Sequence, residues 1–422
     1  YFLSYSFIYI IFIILVFISC QKDLDSTDEE VTNPSGFNDT ENSSGTTSSK
    51  YSTPCVDGFA GKYPCNGYDL LAHLDLSKFD SYQGNDSWGW TDPSTQKEYV
   101  LMGLDNGTGF VDISDPANPI LLGKLSTATE SSIWRDIKVH KNYAYVVSEA
   151  TDHGIQVFDL TRLRGVEAPQ SFTADQILRI VPTAHNIVIN PESGFAYLVG
   201  TSRNNVFNGG VYFLDLNNTE SYRFVGGYGR GGYSHDAQVV NYYGPDMEYT
   251  GKEIFLGSNE SKLVIVDVTD KQNPFTISEV SYPNSAYTHQ GWFDQDQRFF
   301  ILGDELDESS IGGKTRTLVF DLKDLDNPLL YHSYFGTTNA IDHNGYVKGD
   351  LFYLANYTAG IRVIDIIDLE NKNMSEIGFF DTFPKHNSTT FVGAWNVYPF
   401  FSSGYIVISD IDEGLFVVKK SN

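Results

Sequence analysis

The length, composition and charge of the chain exclude several classes of protein. It has 422 residues, and 54 Asp and Glu stand against 28 Lys and Arg, which gives a net charge of −26. A surface this acidic repels phosphate backbones, so we expect no nucleic-acid partner. Its 27 Tyr and 29 Phe favour strands, and no amphipathic helix of useful length is evident.

The first segment has the pattern of an export signal. Residues 1–19 are almost wholly apolar and end at Ser19, directly before Cys20. A small residue before a cysteine at the end of an apolar run resembles the bacterial lipobox, so we expect a lipoprotein signal peptide and lipidation of Cys20. No Met opens the sequence and no basic residue precedes the apolar run, so we expect the start of the precursor to be missing. The alternative is a transmembrane anchor, since 19 apolar residues could just span a bilayer.

Residues 20–53 have the composition of a tether. They are rich in Ser, Thr, Asn, Asp and Gly and poor in apolar side chains, so they cannot bury enough surface to offset the entropy of ordering. Acidic residues directly after Cys20 resemble the surface-export signals of Bacteroidetes-type lipoproteins. We therefore expect a lipid-anchored protein of the outer membrane or cell surface, held to the membrane through Cys20.

Two further cysteines precede the repeats. Cys55 and Cys65 lie in a segment that contains Gly and Pro, and an exported chain is expected to oxidise such a pair to a disulfide. The alternative, half of a metal site, lacks a second half.

Between residues 88 and 420 one pattern recurs seven times. The clearest copy is Leu263-Val264-Ile265-Val266-Asp267, an apolar run closed by an aspartate. The others are 109–112, 154–159, 210–215, 317–321, 360–365 and 414–419. The aspartates recur every 44 to 56 positions, which is typical of propeller blades. We therefore predict an all-β, seven-bladed β-propeller over 54–422, in which each repeating aspartate caps a turn.

The last repeat lacks a fourth strand. It reaches Lys419, which replaces the repeat aspartate, and no further apolar run follows. Residues 68–76 resemble an outer strand and precede the first repeat. We predict that this N-terminal strand completes the seventh blade and so removes an exposed strand edge.

Polar side chains recur at one position in the first strand of each repeat. In chain order this position holds Ser87, Arg135, His185, His235, His289, His343 and Trp395. Carboxylates, including Glu149, Asp304 and Glu305, stand where the second strands return to the same end of the channel. We predict a binding rim at one channel mouth, formed by Arg135, the four histidines, Trp395 and these three carboxylates.

This rim has two interpretations. The four histidines could hold a divalent transition-metal ion as a cofactor, because neutral imidazole binds Zn, Cu, Fe or Ni and carboxylates add ligands. Alternatively, the same side chains satisfy polar groups around a wet channel. The acidic segment 304–308 could hold a cation, but it lacks the spacing of a calcium loop, so a solvated acidic loop is the favoured interpretation.

Taken together, these motifs resemble the choice-of-anchor B family, whose repeats are named for the LVIVD string at 263–267. The resemblance extends from about Cys55 to Val418. It is carried by 55–65, 69–71, 88–90, 134–136, 288–292, 303–307 and 342–344. It implies a secreted propeller attached to the surface and no settled activity, so it transfers no catalytic residue.

These observations favour a binding module over an enzyme. We expect a cell-surface lipoprotein whose channel mouth binds a glycan, a peptide or a metal-bearing ligand. The alternative is a metal-dependent hydrolase or oxidase that uses the histidine rim. No nucleophile elbow, phosphate loop or HExxH motif is present to favour a reaction.

Overall fold

In the described part of the chain, seven sheets each contain four antiparallel strands and form the blades of a propeller. The structure is a computed structural model that describes residues 52–422. From the channel outward, blade 1 contains Gly84–Thr91, Glu98–Leu104, Gly107–Asp112 and Ile120–Ser126, and blade 2 contains Arg135–His140, Tyr143–Ser148, Ile155–Asp159 and Gln176–Leu178. Blade 3 contains Asn186–Asn190, Phe195–Val199, Val211–Asp215 and Arg223–Tyr228. Blade 4 contains Asp236–Asn241, Glu253–Ser258, Lys262–Asp267 and Phe275–Ser281. Blade 5 contains Thr288–Phe293, Phe299–Asp304, Arg316–Asp321 and Leu329–Phe335. Blade 6 contains Gly345–Lys348, Leu351–Ala355, Ile361–Asp365 and Ser375–Phe380. Blade 7 contains Ala394–Tyr398, Tyr405–Asp410, Gly414–Lys420 and Tyr68–Leu74.

The ring is closed by strands from both ends of the propeller. Tyr68–Leu74 pairs antiparallel with Gly414–Lys420 and is the outer strand of blade 7. The first strand of each blade packs against the first strand of the next, and Ala394–Tyr398 packs against Gly84–Thr91. The predicted seven-bladed propeller with an N-terminal closing strand is therefore confirmed.

Two blades carry additional short strands. Gln170–Phe172 runs parallel to the outer strand of blade 1. Tyr63–Asn66 and Phe59–Ala60 extend blade 6, and the predicted disulfide joins Cys55 to Cys65. Helical segments in the described residues are short: the α-helix Asp307–Ser310 and the 3₁₀ segments Leu76–Phe79, Leu160–Leu163, Met247–Tyr249 and Leu369–Asn371. Within residues 52–422, no helix has the length and apolarity needed to cross a membrane.

The apolar core lies between neighbouring blades, and the strand Lys262–Asp267 shows why. Leu263 and Ile265 pack toward blade 5, whereas Val264 and Val266 pack toward blade 3. Successive side chains of a strand point to opposite faces, so a continuous apolar strand fills two interfaces at once. Seven such clusters lie one at each junction between neighbouring blades.

Candidate functional site

Four imidazole rings form a continuous arc at one end of the channel. His185 and His235 directly precede the first strands of blades 3 and 4, His289 lies in the first strand of blade 5, and His343 precedes that of blade 6. Neighbouring rings are 4.4 Å apart, centroid to centroid, at each of the three steps. The indole of Trp395 continues the arc, 4.8 Å from His343. Successive blades thus bring together side chains that are about fifty residues apart.

Two of the predicted carboxylates meet this arc. Glu149 follows the second strand of blade 2, and its Oε1 lies 2.5 Å from Nδ1 of His185. Glu305 follows the second strand of blade 5 and reaches between two imidazoles: its Oε2 lies 3.6 Å from Nε2 of His289 and its Oε1 lies 3.5 Å from Nε2 of His343. Tyr357 donates a hydrogen bond of 2.9 Å to Oε1 of Glu305.

A cavity of about 480 Å³ opens at this mouth. Predicted residues that line it are Glu149, His185, His235, His289, Glu305, His343 and Trp395. Its wall also contains Trp134, Tyr233, Tyr287, Tyr357 and Phe391. Trp134 belongs to the motif at 134–136, and the other four were not predicted from the sequence. Tyr233 and Tyr287 each stand two residues before a rim histidine, a repetition that could have revealed them. The others are placed by loops that carry no recurring pattern.

Two of the predicted rim residues do not line this cavity. The guanidinium of Arg135 turns into the junction of blades 1 and 2, where it donates to the Leu104 carbonyl (3.0 Å) and to Thr127 (2.9 Å) and lies 2.9 Å from Nε2 of His153. Asp304 is fully buried, and its carboxylate accepts hydrogen bonds from Tyr282 and from two backbone N–H groups. Both side chains hold neighbouring structure in place.

Burial and neighbouring charged groups give the four histidines different pKa values. Burial lowers the pKa of His289 to about 3 and of His343 to about 3, with neighbouring imidazoles adding to the effect. Burial, with His185 and His289 beside it, also places the pKa of His235 well below its ordinary value. Burial opposes charge at His185 too, but the hydrogen bond and charge of Glu149 outweigh it and raise the pKa. The arc therefore contains three imidazoles in which the neutral form is favoured and one, His185, in which the protonated form is favoured relative to a free imidazole.

The acidic segment 304–308 is buried, so the prediction of a solvated loop is wrong. Asp304 and Asp307 have no exposed surface, and Glu308 is 3% exposed. Arg316 forms an ion pair with Asp307, and the backbone N–H of Arg316 donates to Glu308. Burial, together with the charge of Asp307, raises the pKa of Glu308 to about 9. The sequence did not reveal Arg316 as the partner because it comes from the next strand.

A second cavity, of about 310 Å³, lies further along the inner strands. Its wall is largely aromatic and includes Trp88, Trp292, Tyr346 and Phe400. Lys138 lies over the Trp88 ring, 4.6 Å from its centroid. The ammonium group therefore already occupies the aromatic face that an external cation would use.

Comparisons with known proteins support the repeats and the fold. The LVIVD repeat family matches residues 98–127 and 134–152, which fall in blades 1 and 2. No curated protein sequence matches the chain significantly.

Solved propellers resemble the structure at low sequence identity. Hydrazine synthase of Kuenenia stuttgartiensis aligns with a TM-score of 0.51 at 12% identity, over 76% of this chain and 92% of that one. The Cps50 (Swd1) β-propeller domain of Myceliophteria thermophila aligns with a TM-score of 0.53 at 8% identity, over 84% and 99%. A functionally unknown protein from Desulfotomaculum acetoxidans aligns with a TM-score of 0.51 at 11% identity, over 73% and 88%.

At these identities the likeness extends to the fold alone, so it gives no support to the hydrolase or oxidase alternative. Two independent findings, the repeat match and the blade architecture, agree with each other. The chain is a seven-bladed β-propeller that carries LVIVD repeats.

Proposed function

We propose that this protein is a lipid-anchored, cell-surface binding module of the choice-of-anchor B type, and that its ligand enters the cavity at the histidine mouth. The observation that carries the proposal is the convergence of four rim histidines, two carboxylates and several aromatic rings on one open cavity of about 480 Å³. Concave sites of this size, with aromatic walls and a few fixed polar groups, are typical of ligand pockets.

The exposed edge of the mouth favours a glycan or peptide ligand. Ile133, Trp134 and Phe391 line the cavity and remain 37%, 43% and 49% exposed. Exposed aromatic faces bury large areas when a ligand stacks on them, and the Glu149–His185 pair supplies a hydrogen-bonding group nearby. The net charge of −26 disfavours nucleic acid as the ligand.

The anchoring part of the proposal depends on residues outside those described by the structure. Its support is the sequence pattern around Cys20, followed by the polar stretch that ends near the first described residues. A tether of this composition would let the propeller stand away from the membrane. We expect acyl-chain labelling of the wild-type protein in its host and loss of that label in Cys20→Ser. Labelling that survives this substitution would contradict the anchor.

Ligand binding is tested with glycan and peptide arrays probed by the wild-type protein and two variants. Phe391→Ala removes an exposed ring at the mouth. Phe335→Ala removes a ring of similar exposure (60%) from the outer strand of blade 5 and is the matched control. We expect Phe391→Ala to weaken binding at least tenfold, as loss of a large aromatic contact to a ligand can do, and Phe335→Ala to bind like wild type. Equal effects of the two variants would overturn the proposal.

A further inference from the structure

We propose that His289, His343 and Glu305 form a binding site for one divalent transition-metal ion of the Zn²⁺ class. The sequence pattern suggested all four rim histidines as ligands, and the structure narrows the set to two histidines and one carboxylate. The inference deepens the function proposed above and rests on it, because the ion would lie in the wall of the ligand cavity.

The spacing of the three side chains fits one ion. Their ligand atoms lie within 4.8 Å of one another. The Glu305 oxygens are 3.6 Å from Nε2 of His289 and 3.5 Å from Nε2 of His343. Two ligands at Zn–N and Zn–O distances in a tetrahedral arrangement are separated by about 3.4 Å. The observed separations are close to this value and too long for direct hydrogen bonds.

The orientation of His343 leaves a lone pair for the ion. Its Nδ1 lies 2.6 Å from the Trp395 carbonyl oxygen, which can only accept a hydrogen bond, so Nδ1 carries the proton. In the neutral ring Nε2 then carries no proton, so its lone pair is free to bind a metal ion. This nitrogen faces Oε1 of Glu305. A lone pair and a carboxylate oxygen repel each other across this gap unless a cation lies between them.

Glu305 is held in place by an outer partner. Tyr357 is 1% exposed, and its hydroxyl donates to Oε1 of Glu305 at 2.9 Å. Outer hydrogen bonds of this kind orient ligating carboxylates in metal sites. His185 has a different partner, Glu149, which explains why it stands outside the ligand group.

Buried carboxyl groups next to the site have oxygens without hydrogen-bond partners. Asp342 directly precedes His343 and is fully buried, and neither of its carboxylate oxygens has a hydrogen-bond partner within the described part of the chain. Asp307 and Glu308 each leave one buried oxygen unpartnered as well. A bound cation would stabilise the charged form of these carboxyl groups, which is costly to bury without a partner.

The ion would keep one position open toward the cavity. Three protein ligands leave a fourth tetrahedral position free, and His289, His343 and Glu305 all line the cavity wall. A ligand with a carboxylate or other oxygen donor could complete the coordination there.

The test is isothermal titration calorimetry of the full chain, stripped with chelator and titrated with ZnCl₂. We expect one Zn²⁺ per wild-type chain. Glu305→Gln keeps the side-chain shape and removes the charged ligand, so it should weaken Zn²⁺ affinity by more than the roughly 10–100-fold that loss of an outer partner costs. The matched control is Asp324→Asn, which removes a carboxylate from the surface group Asp246, Asp324 and Asp326, and it should bind like wild type.

Absence of Zn²⁺ binding by the wild type, or equal affinity in Glu305→Gln, would overturn the metal site. X-ray absorption of the wild-type Zn²⁺ complex provides a measurement that needs no variant: two imidazoles and a carboxylate are expected, and a shell of oxygen ligands alone would contradict the site. If no Zn²⁺ binds but Phe391→Ala still weakens binding to the arrays in the presence of chelator, the metal site is wrong and the proposed function stands.

If Zn²⁺ binds as expected but Phe391→Ala does not weaken array binding, the proposed function is wrong and the metal site stands.

Discussion

At the residue scale, the repeating aspartate is the clearest link between sequence and structure. In each of six repeats its Oδ1 accepts a hydrogen bond from the backbone N–H two residues later, at 2.9–3.0 Å. The prediction that these aspartates cap turns is confirmed, because a short carboxylate side chain bonds its own backbone in this way in any fold. Lys419 needs no such turn, since the outer strand of blade 7 comes from the other end of the propeller.

Arg135 shows what residue patterns cannot predict. Its alignment with the rim histidines is correct, but its long side chain finds partners in blade 1 that the spacing of repeats does not reveal. We expect Arg135→Met to lower the free energy of unfolding by about 2–4 kcal/mol, because it leaves a buried carbonyl and His153 without a partner.

Urea denaturation of Arg135→Met measures this cost, and the array assay reports on the mouth. Near-normal stability combined with lost ligand binding would assign Arg135 to the binding rim after all.

A pH dependence follows from Asp236, which lies beside the buried ion pair of Lys138 and Asp136. Burial, opposed by Lys138 and reinforced by Asp136, raises the pKa of Asp236 to about 7. The folded chain therefore binds a proton between the ordinary pKa of 3.8 and about 7 that the unfolded chain does not. The stability from this group is fully present below pH 3.8 and is lost as the pH rises through about 7.

Asp236→Asn removes this titration. We expect it to raise stability over wild type by about 1–3 kcal/mol at pH 8 and to have little effect near pH 4. Thermal melts at both pH values, with the exposed Asp115→Asn as control, provide the measurement. A difference between Asp236→Asn and wild type that does not change with pH would contradict the assignment.

At the element scale, the inner strands explain both the successes and the failures at the candidate site. Repeats place equivalent residues at equivalent heights, so the positions of the four histidines, Glu149 and Glu305 at one mouth could be read from their alignment. Tyr357 and Phe391 belong to loops, and Arg316 meets Asp307 from a neighbouring strand. Contacts of this kind depend on side-chain direction across strands, which strand periodicity does not specify.

The disulfide gives a prediction about the added strands of blade 6. Cys55 and Cys65 are separated by 10 residues in sequence. A disulfide that closes a loop of that size lowers the entropy of the unfolded chain and so stabilises the folded state by about 2–3 kcal/mol. We expect Cys55→Ala/Cys65→Ala to make local opening of Tyr63–Asn66 easier by this amount, as measured by hydrogen exchange. The amides of Lys262–Asp267 in blade 4 are the internal control. Equal acceleration in both strands would show a global effect rather than a local one.

At the scale of the whole molecule, stability depends on closure of the ring. Leu415 and Val417 pack toward blade 1, whereas Phe416 and Val418 pack toward blade 6. The strand Gly414–Lys420 therefore completes two blade interfaces and also holds Tyr68–Leu74. Closure could be predicted because the last repeat lacks an outer strand that the first segment can supply.

Truncation tests this closure. We expect deletion of 414–422 to abolish cooperative unfolding and to expose apolar surface to a hydrophobic dye, because two core clusters lose their central strand. Deletion of 421–422 alone should leave the unfolding transition cooperative, since it removes only the bonds of Ser421 to Gly67 and Asp69. A cooperative transition in the longer deletion would contradict the role of closure.

We expect this protein to bind its ligand at the histidine mouth rather than on the outer faces of the blades. A crystal structure of the protein with the strongest ligand from the arrays tests this expectation most directly. We predict ligand density inside the cavity, in contact with Trp395 and adjacent to Glu305. Ligand density on the outer strands, with the mouth unchanged, would show that the ligand binds elsewhere on the propeller.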